Sequence, residues 1–196
     1  MYSDVFCRVY NEFGWNYYPE AFGEQLLKWL AAQGLHPRSA LDLACGTGVL
    51  CRILQAAGIR SRGMDLSEGM IAIARAESPD IPYDVADMVT YRPEMHFELV
   101  TCTGDALNHI EDLSDVGRIF ENVHACLAPG GLFVFDLLHE QEISSAEPFE
   151  LEFDDTITAR FQITRPAGDR VHLQTQVFEN GVHRFTEDIF ERVHDR

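Results

Sequence analysis

The sequence predicts an α/β protein: a doubly wound, mostly parallel sheet, preceded by helices and followed by an antiparallel β meander. Three observations predict it. Between residues 39 and 136, short apolar runs alternate with segments of helical period. The first of these runs enters a glycine turn, Ala44-Cys-Gly-Thr-Gly48, which leads straight into a helix pattern. From residue 149 onward the period changes to two, apolar in turn with polar.

Residues 3–33 read as helical and rich in rings, with Tyr2, Phe6, Tyr10, Phe13, Trp15, Tyr17, Tyr18 and Phe22 crowding the first part. Phe22, Leu26, Leu27, Leu30 and Ala31 then recur at helical spacing until Gly34 and Pro37 end the pattern. Residues 40–44 form a strand, and residues 49–57 a helix with Val49, Leu50, Ile53, Leu54 and Ala57 on one face. A second strand covers 61–66. Ser67 opens a helix that runs to residue 76 and stops before Pro79. Residues 83–86 and 97–102 are the next strands, and 113–127 a helix. Pro129-Gly130-Gly131 makes a turn ahead of the fifth strand, 132–136, which is continuously apolar, as expected where helices cover both faces of a sheet.

Beyond this point Phe149, Leu151 and Phe153 alternate with acidic residues, while Ile157, Ala159, Phe161 and Ile163 alternate with polar ones. Val171, Leu173 and Val177 continue the habit, and Asn180-Gly181 is a strong two-residue hairpin signal. One wet face and one dry face imply a meander of three or four strands. The chain thus divides into a helical lid at 1–38, a ligand-binding core at 39–138 and a β subdomain at 139–196.

A length of 196 residues suits one domain with a small appended layer. The formal charge of −17 argues against a phosphate-rich partner, and no cluster of Lys and Arg marks a nucleic-acid face. Five cysteines without a C-x-x-C pair read as reduced core thiols, so neither a disulfide framework nor a metal site is expected. The N-terminus lacks a signal-peptide pattern and no apolar stretch reaches membrane-spanning length. A soluble, cytoplasmic protein is the expectation.

The turn carries the chemistry. A nicotinamide fingerprint would read G-x-G-x-x-G, and this chain offers Ala44, Gly46 and Val49, missing two of three positions. It offers instead Asp42-x-Ala44-x-Gly46-x-Gly48. Gly46 and Gly48 can take positive φ and admit a ligand to the main chain. The carboxylate of Asp42 suits an ammonium-bearing ligand such as the amino-acid end of S-adenosylmethionine (SAM), whereas a pyrophosphate would be repelled there. Asp65, nineteen residues beyond Gly46, falls where an acidic side chain can accept both hydrogen bonds of a ribose diol.

Leu41-Asp-Leu-Ala-Cys-Gly-Thr-Gly48, Gly63-Met-Asp-Leu-Ser-Glu-Gly-Met-Ile71 and Leu127-Ala-Pro-Gly-Gly-Leu-Phe-Val-Phe135 resemble class I SAM-dependent methyltransferases of the small-molecule type, whose core is Rossmann-like. The resemblance covers residues 40–137. It implies that Asp42, Ala44, Gly46 and Gly48 line the methionine end of the cofactor. By the same likeness Asp65 takes the ribose hydroxyls, Leu66 lies against adenine, and Asp87 and Met88 meet adenine nitrogens. Cys102 and Thr103 would face the cofactor from the other wall. Ala44 stands where the family often has glycine, a common variant.

Thr103-Gly-Asp-Ala-Leu-Asn-His-Ile110 follows the fourth strand and resembles the segment that such enzymes set beside the transferred methyl. His109 is the first candidate base for an acceptor that must lose a proton, with an ordinary pKa near 6.5. Asp105 is the second, and Asn108 could position an acceptor; His139 is a weaker candidate. A surface or helix-terminus histidine is the plain alternative for His109. Tyr10, Trp15, Tyr17 and Tyr18 invite a lid reading, with Tyr17 and Tyr18 favoured against the cofactor, while simple packing of the rings is the competing account. The acidic run 147–155 reads as the solvated face of a strand rather than a cation site.

The resemblance implies transfer of a methyl group from SAM to a small-molecule acceptor. A SAM-binding protein without turnover is the alternative, and a NAD-dependent oxidoreductase is disfavoured by the failed fingerprint. Family members follow an inserted meander with a further helix and a closing strand pair, and this chain stops at Arg196. The expectation is a truncated fragment, or a homodimer whose second copy covers the fifth strand's edge.

Overall fold

The computed structural model describes residues 3–11, 14–138, 147–152, 155–166 and 168–193. Helices α1 (Asp4–Val9) and α2 (Tyr17–Ala32) lead into β1 (Ser39–Leu43), α3 (Val49–Ala56), β2 (Arg60–Asp65), α4 (Glu68–Glu77) and β3 (Tyr83–Val85). Then come β4 (Phe97–Cys102), a 3-10 turn at Ala106–His109, α5 (Leu113–Cys126) and β5 (Leu127–Phe135). These five strands are all parallel, in the order β3-β2-β1-β4-β5.

Strand alternation sorts the core into two layers. Leu41, Leu43, Met64, Val100 and Cys102 turn to one face and are covered by Ile119 and Val123 of α5. Ala40 and Leu99 turn to the other, under Leu26 and Leu30 of α2 and Leu50 and Leu54 of α3. Helix starts follow local chemistry: the hydroxyls of Ser3 and Ser67 and the carboxylate of Asp112 accept backbone N–H bonds at the caps of α1, α4 and α5.

Two local expectations are corrected. The helical reading of 3–33 resolves into two helices, because the chain turns at Gly14 with φ of 79° before α2 begins at Tyr17. The Pro129-Gly130-Gly131 turn lies inside β5 rather than before it. Phe97 pairs with Leu127 and Leu99 with Leu132, so the extra residues are accommodated as a bulge with Gly130 at φ 77°. A Cβ on Gly131 would lie 2.9 Å from the Ala128 carbonyl, which is why the bulge closes on glycine. β5 forms the sheet's edge and is half-buried: Leu132 and Val134 pack with the α2–α3 layer, and Phe133 packs with the α5 layer.

The second sheet is a meander of β6 (Phe149–Glu152), β7 (Ile157–Thr164), β8 (Arg170–Glu179) and β9 (Val182–Arg192), antiparallel throughout. Asn180 and Gly181 both have positive φ, 52° and 75°, as a type I′ hairpin requires. The dry face, Ala159, Phe161 and Val177, packs with Trp15 and Phe185. All four residues of β6 are exposed, with Glu150 paired to Arg160 at 2.5 Å, so this part of the acidic run is a solvated strand; residues 153–154 lie outside the described residues.

The N-terminal segment ties the two sheets together. Ser3 donates its N–H and hydroxyl to the buried carboxylate of Glu187 on β9, at 2.9 and 2.6 Å. Phe6 sits edge-on to Trp15 and to Phe185. From the same segment, Asn11 accepts the Thr47 hydroxyl at 2.8 Å and donates to Glu77 of α4 at 2.7 Å. Among the described residues no helix is long and apolar enough to cross a membrane.

Candidate cofactor and methyl-acceptor site

β1 lies between β2 and β4, so the connections that leave the carboxyl ends of β1 and β4 run to opposite faces and open a crevice there. Ala44, Gly46 and Gly48 line its lower wall, all with positive φ (55°, 53° and 78°). Nothing lies within 4 Å of a Cβ built on Gly46, whereas one on Gly48 would run into the Tyr83 ring, with Cζ at 2.9 Å. The open side of Gly46 is therefore the side a ligand can use.

Asp42 does not face that opening. Its side chain points into the α2–α3 layer, is 3% exposed, and accepts the Thr101 hydroxyl at 2.6 Å and the Cys51 thiol at 3.8 Å. Burial pushes its pKa up to about 7. The expected contact between this carboxylate and a ligand ammonium is corrected accordingly: Asp42 braces the loop from beneath, because residue 42 shares parity with the inward-facing Ala40.

Asp65 closes the crevice at the end of β2. One carboxylate oxygen accepts the Gly46 N–H at 2.9 Å and the other the Ser67 N–H at 2.8 Å, fixing the glycine turn to the start of α4. Burial raises its pKa, opposed by those bonds. Each oxygen keeps a lone pair for a ligand hydroxyl. Leu66 beside it is 53% exposed, an uncovered apolar platform. Asp87 is exposed and accepts the Val89 N–H at 2.8 Å, while Asn122 of α5 donates to the Met88 and Val89 carbonyls at 3.2 and 2.8 Å. Cys102 is fully buried in the core, so only its backbone and the half-buried Thr103 reach the lip.

The opposite lip is built by Gly104 and Asp105, both at positive φ, whose consecutive N–H groups donate to the two oxygens of Asp136, each at 2.8 Å. The Tyr18 hydroxyl donates to the same carboxylate. Tyr18 thus pins α2 to the lip, while Tyr17 beside it is 75% exposed. Tyr10 is half-buried against Phe6 and Trp15, and burial with the charges of Asp105 and Asp65 raises its pKa to about 12.

In the 3-10 turn, Asn108 is buried and its amide is engaged, donating to the Leu138 and Arg192 carbonyls at 3.2 and 2.7 Å and accepting the Leu138 N–H at 2.9 Å. It fastens the turn to β9 and does not present its amide to an acceptor. His109 and Asp105 do come together, joined by Glu191 of β9: one potential ligand atom from each of the three lies within 4.8 Å of the others, and His109 Nε2 stands 3.8 Å from a Glu191 oxygen. Burial pushes Asp105 up to about 8, assisted by Glu191 and Asp136, and Glu191 up to about 7. Burial lowers the pKa of His109. This triad could hold a cation. His139 lies outside the described residues.

Sequence reasoning missed Asp136 and Glu191. Asp136 could have been found as the acid closing the fifth strand. Glu191 alternates like every other acid of the meander and carries no signal of its own.

Residues 40–131 match a family described as a methyltransferase domain. A Geobacillus protein named as a methyltransferase is 33% identical, over 60% of this chain and 49% of its own length. The dTDP-4-amino-2,3,4,6-tetradeoxy-D-glucose N,N-dimethyltransferase of Saccharopolyspora spinosa is 27% identical, over 69% of this chain and 53% of its own length. This chain spans about half the length of both relatives. Among solved structures, a SAM-dependent methyltransferase from Clostridium acetobutylicum superposes with a TM-score of 0.78 at 24% identity, covering 88% of this chain and 74% of that one, a likeness of fold.

Proposed function

We propose that this chain is a class I SAM-dependent methyltransferase, as the match of residues 40–131 to a methyltransferase domain supports, and that it transfers the methyl group of SAM to a small-molecule acceptor seated over the Asp105–His109 turn. The observation that carries the reading is the glycine turn locked to Asp65 by the Gly46 N–H, with open space above Gly46 at the topological switch point. The residues present fit the cofactor. Bare backbone at 44–48 admits its methionine end, the spare lone pairs of Asp65 suit a ribose diol, and exposed Leu66 with Asp87 and Met88 forms an adenine shelf.

SAM supplies an activated methyl on a cationic sulfur, so alignment and exclusion of water account for much of the rate. The protein's task is to hold the acceptor in line and take up any proton it releases. His109, kept neutral by burial, has a lone pair for that proton, and Asp105 stands beside it. Tyr10, Tyr18 and Asp136 close the chamber from the N-terminal side and the β5 end.

The test is calorimetry with SAM and with NAD, followed by assay for S-adenosylhomocysteine on incubation with metabolite pools. SAM binding with release of S-adenosylhomocysteine is expected. Binding without release supports the non-catalytic alternative, and binding of NAD in place of SAM overturns the assignment.

A further inference from the structure

We propose that Asn11 is a positioning residue for the cofactor: through Thr47 it ties the N-terminal segment to the glycine turn, so that docking of that segment and binding of the methionine end of SAM support each other. The inference rests on the cofactor reading above and names a control on that same site.

The glycine turn cannot hold its own shape. Thr47 stands between Gly46 and Gly48, whose φ of 53° and 78° lie where glycine moves freely, so fixing the turn falls to its neighbours. The Gly46 N–H is held by Asp65 at 2.9 Å and the Gly48 N–H by the Cys45 carbonyl at 2.9 Å. The Thr47 carbonyl accepts Arg52 of α3 at 2.7 Å, and the Thr47 hydroxyl donates to Asn11 at 2.8 Å. Of these partners Asn11 alone comes from the N-terminal segment, and it reaches a residue that is 1% exposed.

A ring of polar contacts closes through the same amide. Asn11 Nδ2 donates to Glu77 of α4 at 2.7 Å, Glu77 pairs with Arg52 at 2.8 Å, and Arg52 returns to the Thr47 carbonyl. The position requires an amide, because one of its atoms accepts a hydroxyl while the other donates to a carboxylate. Asn11→Asp would keep the acceptor and set a second negative charge against Glu77. The Arg52–Glu77 pair is partly exposed and contributes little energy by itself; in the ring it fixes geometry. Further along the same segment, Tyr18 donates to Asp136 at the opposite lip. The segment is thus anchored to both walls of the crevice, by Asn11 at the glycine turn and by Tyr18 at the end of β5. Linkage runs both ways: a ligand that steadies the turn steadies the segment, and release of Asn11 loosens the turn.

Calorimetry on the whole chain with SAM, S-adenosylhomocysteine and adenosine tests this, with thermal unfolding to show that each variant is folded at the titration temperature. Adenosine lacks the methionine end and so reports on Asp65 and Leu66 alone. Asn11→Ala and Thr47→Val should each weaken SAM and S-adenosylhomocysteine about tenfold while leaving adenosine within about twofold of the parent. The double variant should bind SAM no more weakly than either single one, since the two residues act through one bond. Thr47→Ser, which keeps the hydroxyl, should bind SAM as the parent does. Unchanged SAM affinity in Asn11→Ala overturns the proposal. So do equal losses for SAM and adenosine, which would mark a general loosening of the fold, and losses that add in the double variant. A parent that does not bind SAM overturns the cofactor reading itself and this proposal with it, so the two failures are seen apart.

Discussion

The Thr101 hydroxyl donates to the Asp42 carboxylate at 2.6 Å, joining β4 to β1 directly beneath the glycine turn. The two residues are also register partners in the sheet. The floor of the crevice is thus a buried polar contact rather than an apolar one, and it couples cofactor-loop geometry to the protonation of a single acid. Removing the donor alone, as in Thr101→Val, leaves that acid less satisfied and is expected to cost about 1–3 kcal/mol in denaturant unfolding.

Stability should fall as pH rises from 5 to 8. Asp42 titrates near 3.8 when exposed and near 7 when folded, so between those values the native state holds a proton that the unfolded chain has released. The stabilisation is complete below the lower value and is lost as pH climbs through the higher. Asp105, raised to about 8, and Glu191, raised to about 7, act in the same direction. Asp42→Asn, which mimics the neutral acid, should flatten the profile by at most about 4 kcal/mol, at about 1.4 kcal/mol per pKa unit. Urea midpoints at pH 5, 6.5 and 8 check it; a slope unchanged in the variant would remove Asp42 as its source.

Two glycines of one loop should fail in different ways. Gly46→Ala meets no protein atom and costs only its positive φ, about 1 kcal/mol, so Tm should drop a few degrees while the new methyl obstructs the ligand and lowers SAM affinity at least tenfold. Gly48→Ala adds a collision with the Tyr83 ring and should lose considerably more stability. Parallel melting and calorimetry separate the two, and a similar Tm for both variants would contradict the packing described.

Asp65→Ala removes both the ligand-facing lone pairs and the clamp between the Gly46 and Ser67 N–H groups. Hydrogen bonds to a charged group are worth about 1.5–3 kcal/mol, so a tenfold to hundredfold loss of SAM affinity is expected by calorimetry. Unchanged affinity would count directly against the ribose assignment.

The parallel core was legible because its signals are local. Period, caps and turn residues at Ser67, Gly48 and Asn180-Gly181 each act within a few residues, and the structure uses all of them. Less legible was anything set by parity or by distant contact. Asp42 looked like a ligand group until strand alternation turned it inward. Tyr17 and Tyr18 are adjacent in sequence, yet one points to solvent and the other reaches Asp136, 118 residues away. Glu191 joins His109 only because β9 folds back over the 3-10 turn, a tertiary event that no spacing announces.

That return of β9 depends on Asn108. Its amide makes three hydrogen bonds, to the Leu138 carbonyl and N–H and to the Arg192 carbonyl, from a site that is 1% exposed. Asn108→Ala leaves three backbone groups without these partners and detaches the end of β9 from the turn that carries His109. At about 1 kcal/mol per lost bond, a destabilisation of about 2–4 kcal/mol is expected in urea unfolding. Because the glycine turn at residues 44–48 is built on other elements, SAM affinity should change less than threefold, while the approach of Glu191 to His109 should be lost. If the variant kept its stability, Asn108 would be no fastener, and the link between the turn and β9 would have to lie in the packing around it.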